Sequence, residues 1–251
     1  MAFHYKISVF LLMISFWSSF TGQGQEIRID HVISVVSNLD QGMNSFSSKG
    51  FSVTKGKLHS NGLINAHIKF DNNSALELMS VEGEATDLMA EEYKDLLKNG
   101  EGGVYLALSG LKSDSIESIL TKWNMNYIVS KEKLWSYITF PKSSDLAHIF
   151  FIDYHFDHTH SKDVLIHPNG LEKINSIVIE GNESVIAFFE HIGLNYSGKR
   201  IDEEFGIGTE FFTKTGNIIV IPTEGSNNRP RIRSIVFGKK DNTKTLRLPL
   251  E

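Results

Sequence analysis

Two side chains of this chain combine a chemically useful type with an apolar setting: the imidazole of His31, in the run IDHVISV, and the carboxylate of Glu77, between Leu76 and Leu78 in ALELMSV. A carboxylate turned inward at such a place needs a partner, because an unpaired buried charge is costly. Imidazole and carboxylate together form a common donor pair for a divalent ion. An ion with open positions could take two neighbouring oxygens of a small molecule and stabilise the charge that develops when a proton leaves an adjacent carbon. Iron held by two imidazoles and one carboxylate could instead activate dioxygen. Both chemistries need a third protein donor, and His59, His148 and Tyr105 are the candidates. Each residue also has a structural reading: His31 as a hydrogen-bonded core histidine, Glu77 as a solvated strand position, Asn65 as a turn-stabilising amide.

The elements that would position the pair are a strand from Ile29, a helix over about 38–49 with Leu39, Met43 and Phe46 on one stripe, and three alternating runs. Asn38 or Ser37 could cap that helix and Gly50 stop it. The runs are 52–58, 64–70 and 75–81. His31 shares a strand face with Ile33 and Val35, and so points inward. The same order returns from Gly103, with a helix carrying Ile116, Ile119, Leu120 and Trp123, and from Asn175, with a helix after Asn182 carrying Val185, Phe188, Phe189 and Ile192. A step of 72 places Gly103 and Ile149 at the positions of His31 and Glu77. The period exceeds that of solenoid repeats and indicates duplication of a domain-scale unit. An amphipathic helix within 86–103, with Leu88, Met89, Tyr93, Leu96 and Leu97 on its stripe, connects the first two units, and two short strands from Arg231 onward read as an edge pair.

The chain has 251 residues, 41% of them hydrophobic, and a formal charge of −5, enough apolar surface for a substantial core. That charge argues against a nucleic-acid surface, and Arg229, Arg231 and Arg233 read as a solvated strand edge. Lys6 followed by the apolar stretch 7–20 and the small or polar residues 21–24 reads as a secretory signal, too short for a stable membrane span in the mature form. The expected location is secreted or periplasmic. With no cysteine in the sequence, disulfides and thiolate metal sites are excluded. No Gly-x-Ser-x-Gly elbow, phosphate-binding Gly-Lys-Ser/Thr loop or His-Glu-x-x-His is present, and GIGTEF precedes a strand, unlike a dinucleotide fingerprint. His155, His158 and His160 have no regular element to fix them, and His167 before Pro168 reads as a loop-fixing residue.

The order His31, His59, Gly62, Asn65 and Glu77, with FFIDY at 150–154 and His167-Pro168 later, resembles the glyoxalase-like branch of the vicinal oxygen chelate superfamily. The resemblance implies an α+β fold of tandem βαβββ modules forming cup-shaped mixed sheets. On that basis the expected division is a signal peptide over 1–24, a glyoxalase-like domain over 25–166 with modules at about 27–84 and 103–155, and a third module with C-terminal strands over 167–251. It further implies a divalent metal (Fe, Mn, Ni or Zn) on His31 and Glu77, Glu77 as the catalytic base, and a small-molecule substrate touching His59, Asn65, Tyr105 and Trp135. The implied activity is that of a lyase, isomerase or dioxygenase on an oxygen-bearing small molecule. A second class stays open, a non-catalytic protein of the same fold that sequesters a planar ligand against Trp135, Tyr105 and Phe151. A third is a scaffold whose unpaired third module forms a homodimer through its sheet edge.

Overall fold

The computed structural model describes residues 26–156, 161–202, 204–223 and 231–250. The expected signal segment, Arg229, His158 and His160 lie outside these residues. The first unit consists of β1 (Arg28–Val35), α1 (Leu39–Ser48), β2 (Thr54–Lys55), β3 (Leu63–Lys69) and β4 (Ala75–Val81). The Asn38 side chain accepts from the amide of Gln41 and caps α1, which ends before Gly50. Only Thr54 and Lys55 of the expected 52–58 strand pair, with His67 and Ala66, because the chain then leaves the sheet edge.

The second unit repeats the order with β5 (Gly102–Ser109), α3 (Ser113–Lys122), β6 (Ile128–Lys131), β7 (Trp135–Thr139) and β8 (Ile149–Tyr154), after the connecting helix α2 (Leu88–Leu97). β1 pairs with β4 in parallel, β5 with β8 in parallel, and β1 with β5 antiparallel. Eight strands therefore run β2-β3-β4-β1-β5-β8-β7-β6 as one curved mixed sheet.

The third unit has β9 (Lys173–Gly181), α4 (Glu183–His191), β10 (Asn195–Asp202), β11 (Gly206–Phe212) and β12 (Asn217–Pro222), followed by β13 (Arg231–Gly238) and β14 (Thr245–Pro249). β13 is not at an edge as its sequence suggested. It pairs along its length with β9 and touches β5 where Ile232 faces Gly103, so it joins the third unit to the other two. The close approach follows from Gly103 having no side chain: a Cβ there would lie 2.7 Å from Ile232 Cβ.

One continuous apolar core runs beneath the sheet and the helices α1, α3 and α4, with Phe70, Phe151, Phe188, Phe189, Phe211 and Phe237 buried in it. This position overturns one expected contact. Phe151 belongs to this core, and its neighbour Phe150 faces the concave side, because successive strand residues point to opposite faces. A smaller cluster lines the concave face, where Ile33, Val35, Leu63 and Met79 meet Ala90 and Tyr93 of α2. The connecting helix thus packs inside the cup and fills one end of it. Leu88 and Met89, part of its sequence stripe, are left exposed.

Gly62 holds the bend before β3 at φ +89°, and a Cβ there would lie 2.5 Å from the Glu84 carbonyl oxygen. Gly62→Ala is expected to destabilise the protein by about 1–3 kcal/mol through this strained backbone. Urea denaturation measures the loss, and an unchanged midpoint would refute it.

Candidate functional site

The centre of the site is set by an irregularity in β1. Ile29 pairs with Leu108 and His31 with Ala107, so Asp30 is an extra residue in the ladder. A bulge of this kind re-aims side chains, and here adjacent residues interact directly: Asp30 Oδ1 lies 2.7 Å from His31 Nδ1. Tyr154 donates its hydroxyl to the same Asp30 oxygen at 3.1 Å. On its other side, His31 Nε2 lies 3.6 Å from Glu77 Oε2, while Glu77 Oε1 accepts from Asn65 Nδ2 at 2.7 Å. Asp30 and Glu77 are buried, at 7% and 9% exposure, and His31 stands between them with its edge to Phe150. His67 faces Glu77 directly across the β3–β4 ladder.

Burial and neighbouring charges shift several of these groups in definite directions. Burial alone would lower the His31 pKa, but the hydrogen bond and charge of Asp30, with the charge of Glu77, raise it above the ordinary histidine value. Asp30 is opposed by burial and is nevertheless lowered by His31, Ser109 and Tyr154. His67 shifts the other way: burial outweighs the attraction of Glu77 and favours the neutral ring. Tyr137 is pushed up to about 12, first by burial and then by the charges of Glu77, Asp30 and Glu132, so its phenol stays protonated. The resulting arrangement is an imidazole whose charged form is favoured, set between two carboxyl groups and bordered by an imidazole whose neutral form is favoured and by phenols that hold their protons.

The other half of the cup is aromatic. His31 pairs with Ala107 and Ile33 with Tyr105, so the approximate two-fold relating β1 and β5 puts Tyr105 in the place of His31. Ile33 lies beside Glu77, and Ala107 lies beside Phe150, so Phe150 takes the place of Glu77. The spacing of 72 had indicated Gly103 and Ile149 instead. The two strands correspond at a step of 74, Arg28–Val35 against Gly102–Ser109, as α1 and α3 do, two residues longer than the step read from the sequence, and the extra residue Asp30 is matched by Val104. Phe150 also contacts Tyr137 and Tyr105 edge-on.

The structure brings together His31, Glu77 and Asn65 and separates the rest. Tyr105 donates to Glu92 of α2 at 2.6 Å, and Lys142 pairs with that same carboxylate. His148 lies against the Tyr105 ring. Trp135 is half-buried at the rim, paired across strands with Tyr154 and in ring contact with Tyr137. His59 is exposed in the bend at the Leu63 end of β3, whereas His67, Glu77 and His31 lie toward the Lys69 end. His155 instead bonds Ser136. Sequence reasoning missed Asp30, because strict alternation puts it on the face opposite His31. The only clue was the adjacent Asp-His pair opening an apolar strand.

Among the described residues, no three His, Asp or Glu side chains converge closely enough to share a metal ion. The two donors that meet, His31 Nε2 and Glu77 Oε2, face each other, while Asp30 and Asn65 hold their other atoms, an outer-shell arrangement that orients metal ligands as readily as a proton-transfer pair. The positions related to them by the two-fold hold Tyr105 and Phe150, and Phe150 has no donor atom. These residues do not fit a resident metal held by three protein ligands.

The paired βαβββ units and their cup define the vicinal oxygen chelate fold. The family profile described as a glyoxalase-like domain matches residues 29–188, and the chain belongs to that family. A hypothetical protein from Staphylococcus aureus has a similar structure, with TM-score 0.62, 13% identity, and coverage of 87% of this chain and 93% of that one. Homoprotocatechuate 2,3-dioxygenase from Brevibacterium fuscum, in complex with 3,4-dihydroxyphenylacetate, gives TM-score 0.54 and 13% identity, covering 86% of this chain and 65% of its own. A xylose isomerase-like TIM barrel/4-hydroxyphenylpyruvate dioxygenase fusion protein gives 0.57 and 10%, covering 88% and 38%. At these identities the likeness is one of fold. No curated protein matches.

Proposed function

We propose that the cup binds a small planar molecule bearing neighbouring oxygens and that the Asp30–His31–Glu77 cluster manages a proton on it. The observation that supports this reading is an imidazole, its side chain only 14% exposed, held 2.7 Å from one carboxylate and 3.6 Å from another. Glu77, with one oxygen fixed by Asn65, would accept a proton from a ligand hydroxyl or an adjacent carbon through its other oxygen. His31, held by Asp30, would donate to the oxygen on which negative charge develops. Phe150 and Tyr137 offer an aromatic wall for the ring of the ligand. The fold neighbours include a dioxygenase in complex with an aromatic diol, which agrees with this ligand class. A sequestering role without turnover uses the same contacts. It is supported by the short donor set, since among the described residues two groups meet where a metal enzyme uses three or four.

Calorimetric titration with catechol, a neutral planar vicinal diol, tests the reading. Saturable binding that survives chelator treatment is expected. It should weaken at least tenfold in Glu77→Gln, as one charge-assisted hydrogen bond of about 1.5–3 kcal/mol is lost. Phe150→Ala should weaken it by roughly fivefold, on the order of 1 kcal/mol of ring contact. Equal affinity in both variants would overturn the assignment. So would stoichiometric Fe, Mn, Ni or Zn in the purified protein that disappears in His31→Ala and Glu77→Ala, which would restore the metal-assisted reading. Secretion rests on the leader sequence alone, and mass spectrometry of the mature N-terminus in the expressing cell decides it.

A further inference from the structure

The rings on the concave side of the second unit form a continuous track. Phe150 stands edge-on to His31 with 5.7 Å between ring centres, Tyr137 is 5.9 Å from Phe150, and Trp135 is 6.3 Å from Tyr137. Trp135 pairs across strands with Tyr154, whose ring lies 5.9 Å from that of Phe156. Strand alternation explains the alignment: Phe150 and Tyr154 point to the concave face, where Tyr154 reaches Asp30, His155 turns the other way to Ser136, and Phe156 returns to the side of Tyr154. The track runs from the His31 cluster to the rim of the cup. It leads away from α2, which fills the opposite end and is tied there through Glu92 to Tyr105 and Lys142.

The outer end of the track stands in water, with Phe156 43% exposed. A ring left in solvent at the end of a row of rings adds little to folding, and it offers apolar surface to a ligand. Phe150 and Tyr154 are four residues apart in β8, about 13 Å along the strand at about 3.3 Å per residue. A single ring with its oxygens at His31 and Glu77 therefore covers Phe150 and Tyr137 and stops short of the rim. A second ring in line with the first reaches Trp135, Tyr154 and Phe156. The track itself is uncharged, because burial pushes the phenols of Tyr137 and Tyr154 up and keeps them protonated. It therefore suits an uncharged aromatic group, which gains from ring contacts and apolar burial together.

On the reading of the cup as a diol site, we propose that its ligand has at least two rings in line: a head bearing the neighbouring oxygens at His31 and Glu77, and an uncharged aromatic tail that lies along Trp135 and Tyr154 and ends on Phe156. Phe156 then selects for the length of the ligand and leaves its chemistry to the cluster. Calorimetric titration of the full folded protein with 4-phenylcatechol, against catechol as the head alone, tests it. The two-ring diol should bind about tenfold more tightly or better. In Phe156→Ala the ratio of the two affinities should fall to about threefold or less, with an unchanged circular dichroism spectrum, and Phe156→Trp, which restores a ring, should keep the full ratio. Catechol that binds while the second ring adds nothing, or a gain that Phe156→Ala retains in full, overturns the two-ring ligand and leaves the diol site standing. Absence of saturable binding by either diol overturns both.

Discussion

Replacing Asp30 by Asn should lower the titration midpoint of His31 from above the ordinary histidine value to below it and destabilise the protein by about 3 kcal/mol or more near pH 6, as expected when a buried pair loses one charge. Asn keeps the size of the residue and a hydrogen-bonding oxygen but removes the charge that overcomes the burial of His31. Only Glu77, at 3.6 Å, then remains to hold the imidazolium. The pH dependence has a definite sign. His31, raised in the folded state, contributes stability that is complete below the ordinary value of 6.5 and is lost as pH climbs through its folded value. Asp30, lowered in the folded state, contributes above the ordinary 3.8 and loses that contribution as pH falls through its lowered value. The difference between wild type and Asp30→Asn should therefore be largest between about pH 4 and 6.5 and shrink above it. Urea denaturation across pH, with NMR titration of the ring, measures both effects. A midpoint for His31 that does not move would remove Asp30 from the site.

His167→Ala should cost about 3 kcal/mol, through two buried hydrogen bonds left without partners and the cavity where the ring had been. The ring is 4% exposed and ties distant segments together. Its Nδ1 accepts from the Ser52 amide at 3.0 Å, and its Nε2 lies 3.1 Å from the Lys69 carbonyl, to which it donates. Phe51 and Phe70 pack edge-on against it. This bonding requires the neutral ring with the proton on Nε2, in line with a pKa lowered by burial against the pull of the Lys69 carbonyl. The sign is opposite to that of His31: the contribution is present above 6.5 and declines as pH falls toward the lowered value. His167→Phe fills the space without the bonds and should recover only part of the loss. Equal stability of His167→Ala and wild type in urea at pH 7.5 would refute the bracing role.

The family was legible because the motif residues His31, Gly62, Asn65 and Glu77 recur in order around strands whose two-residue period is plain in the sequence. The start of α1 could be read from Asn38, because capping is a local matter of one side chain and one amide. The C-terminal strands were less legible. Ile232, Ile235 and Phe237 are as apolar as an edge or a central strand could be, and pairing with β9 depends on residues some sixty positions away. The connecting helix was visible as amphipathic, and of its stripe Tyr93 is buried with Leu96 and Leu97 packed beside it, while Leu88 and Met89 at its start stay exposed and Ala90 takes the buried place there. Hydrophobic spacing gives a face, and the surface available to receive it decides where that face begins.

Sequence alone determined the α+β class, the repeated βαβββ order and the inward placement of His31 and Glu77, since propensity, capping and strand alternation act over a few residues. Tertiary structure alone decided that Asp30 turns toward His31, that Tyr105 and Phe150 take the places of His31 and Glu77 in the second half, and that α2 closes one end of the cup. The turn of Asp30 depends on one extra residue in the β1–β5 ladder, the places of Tyr105 and Phe150 on the register of that ladder, and the place of α2 on its packing against β1 and β4. Register is fixed by packing across strands distant in the chain, and no local pattern encodes it.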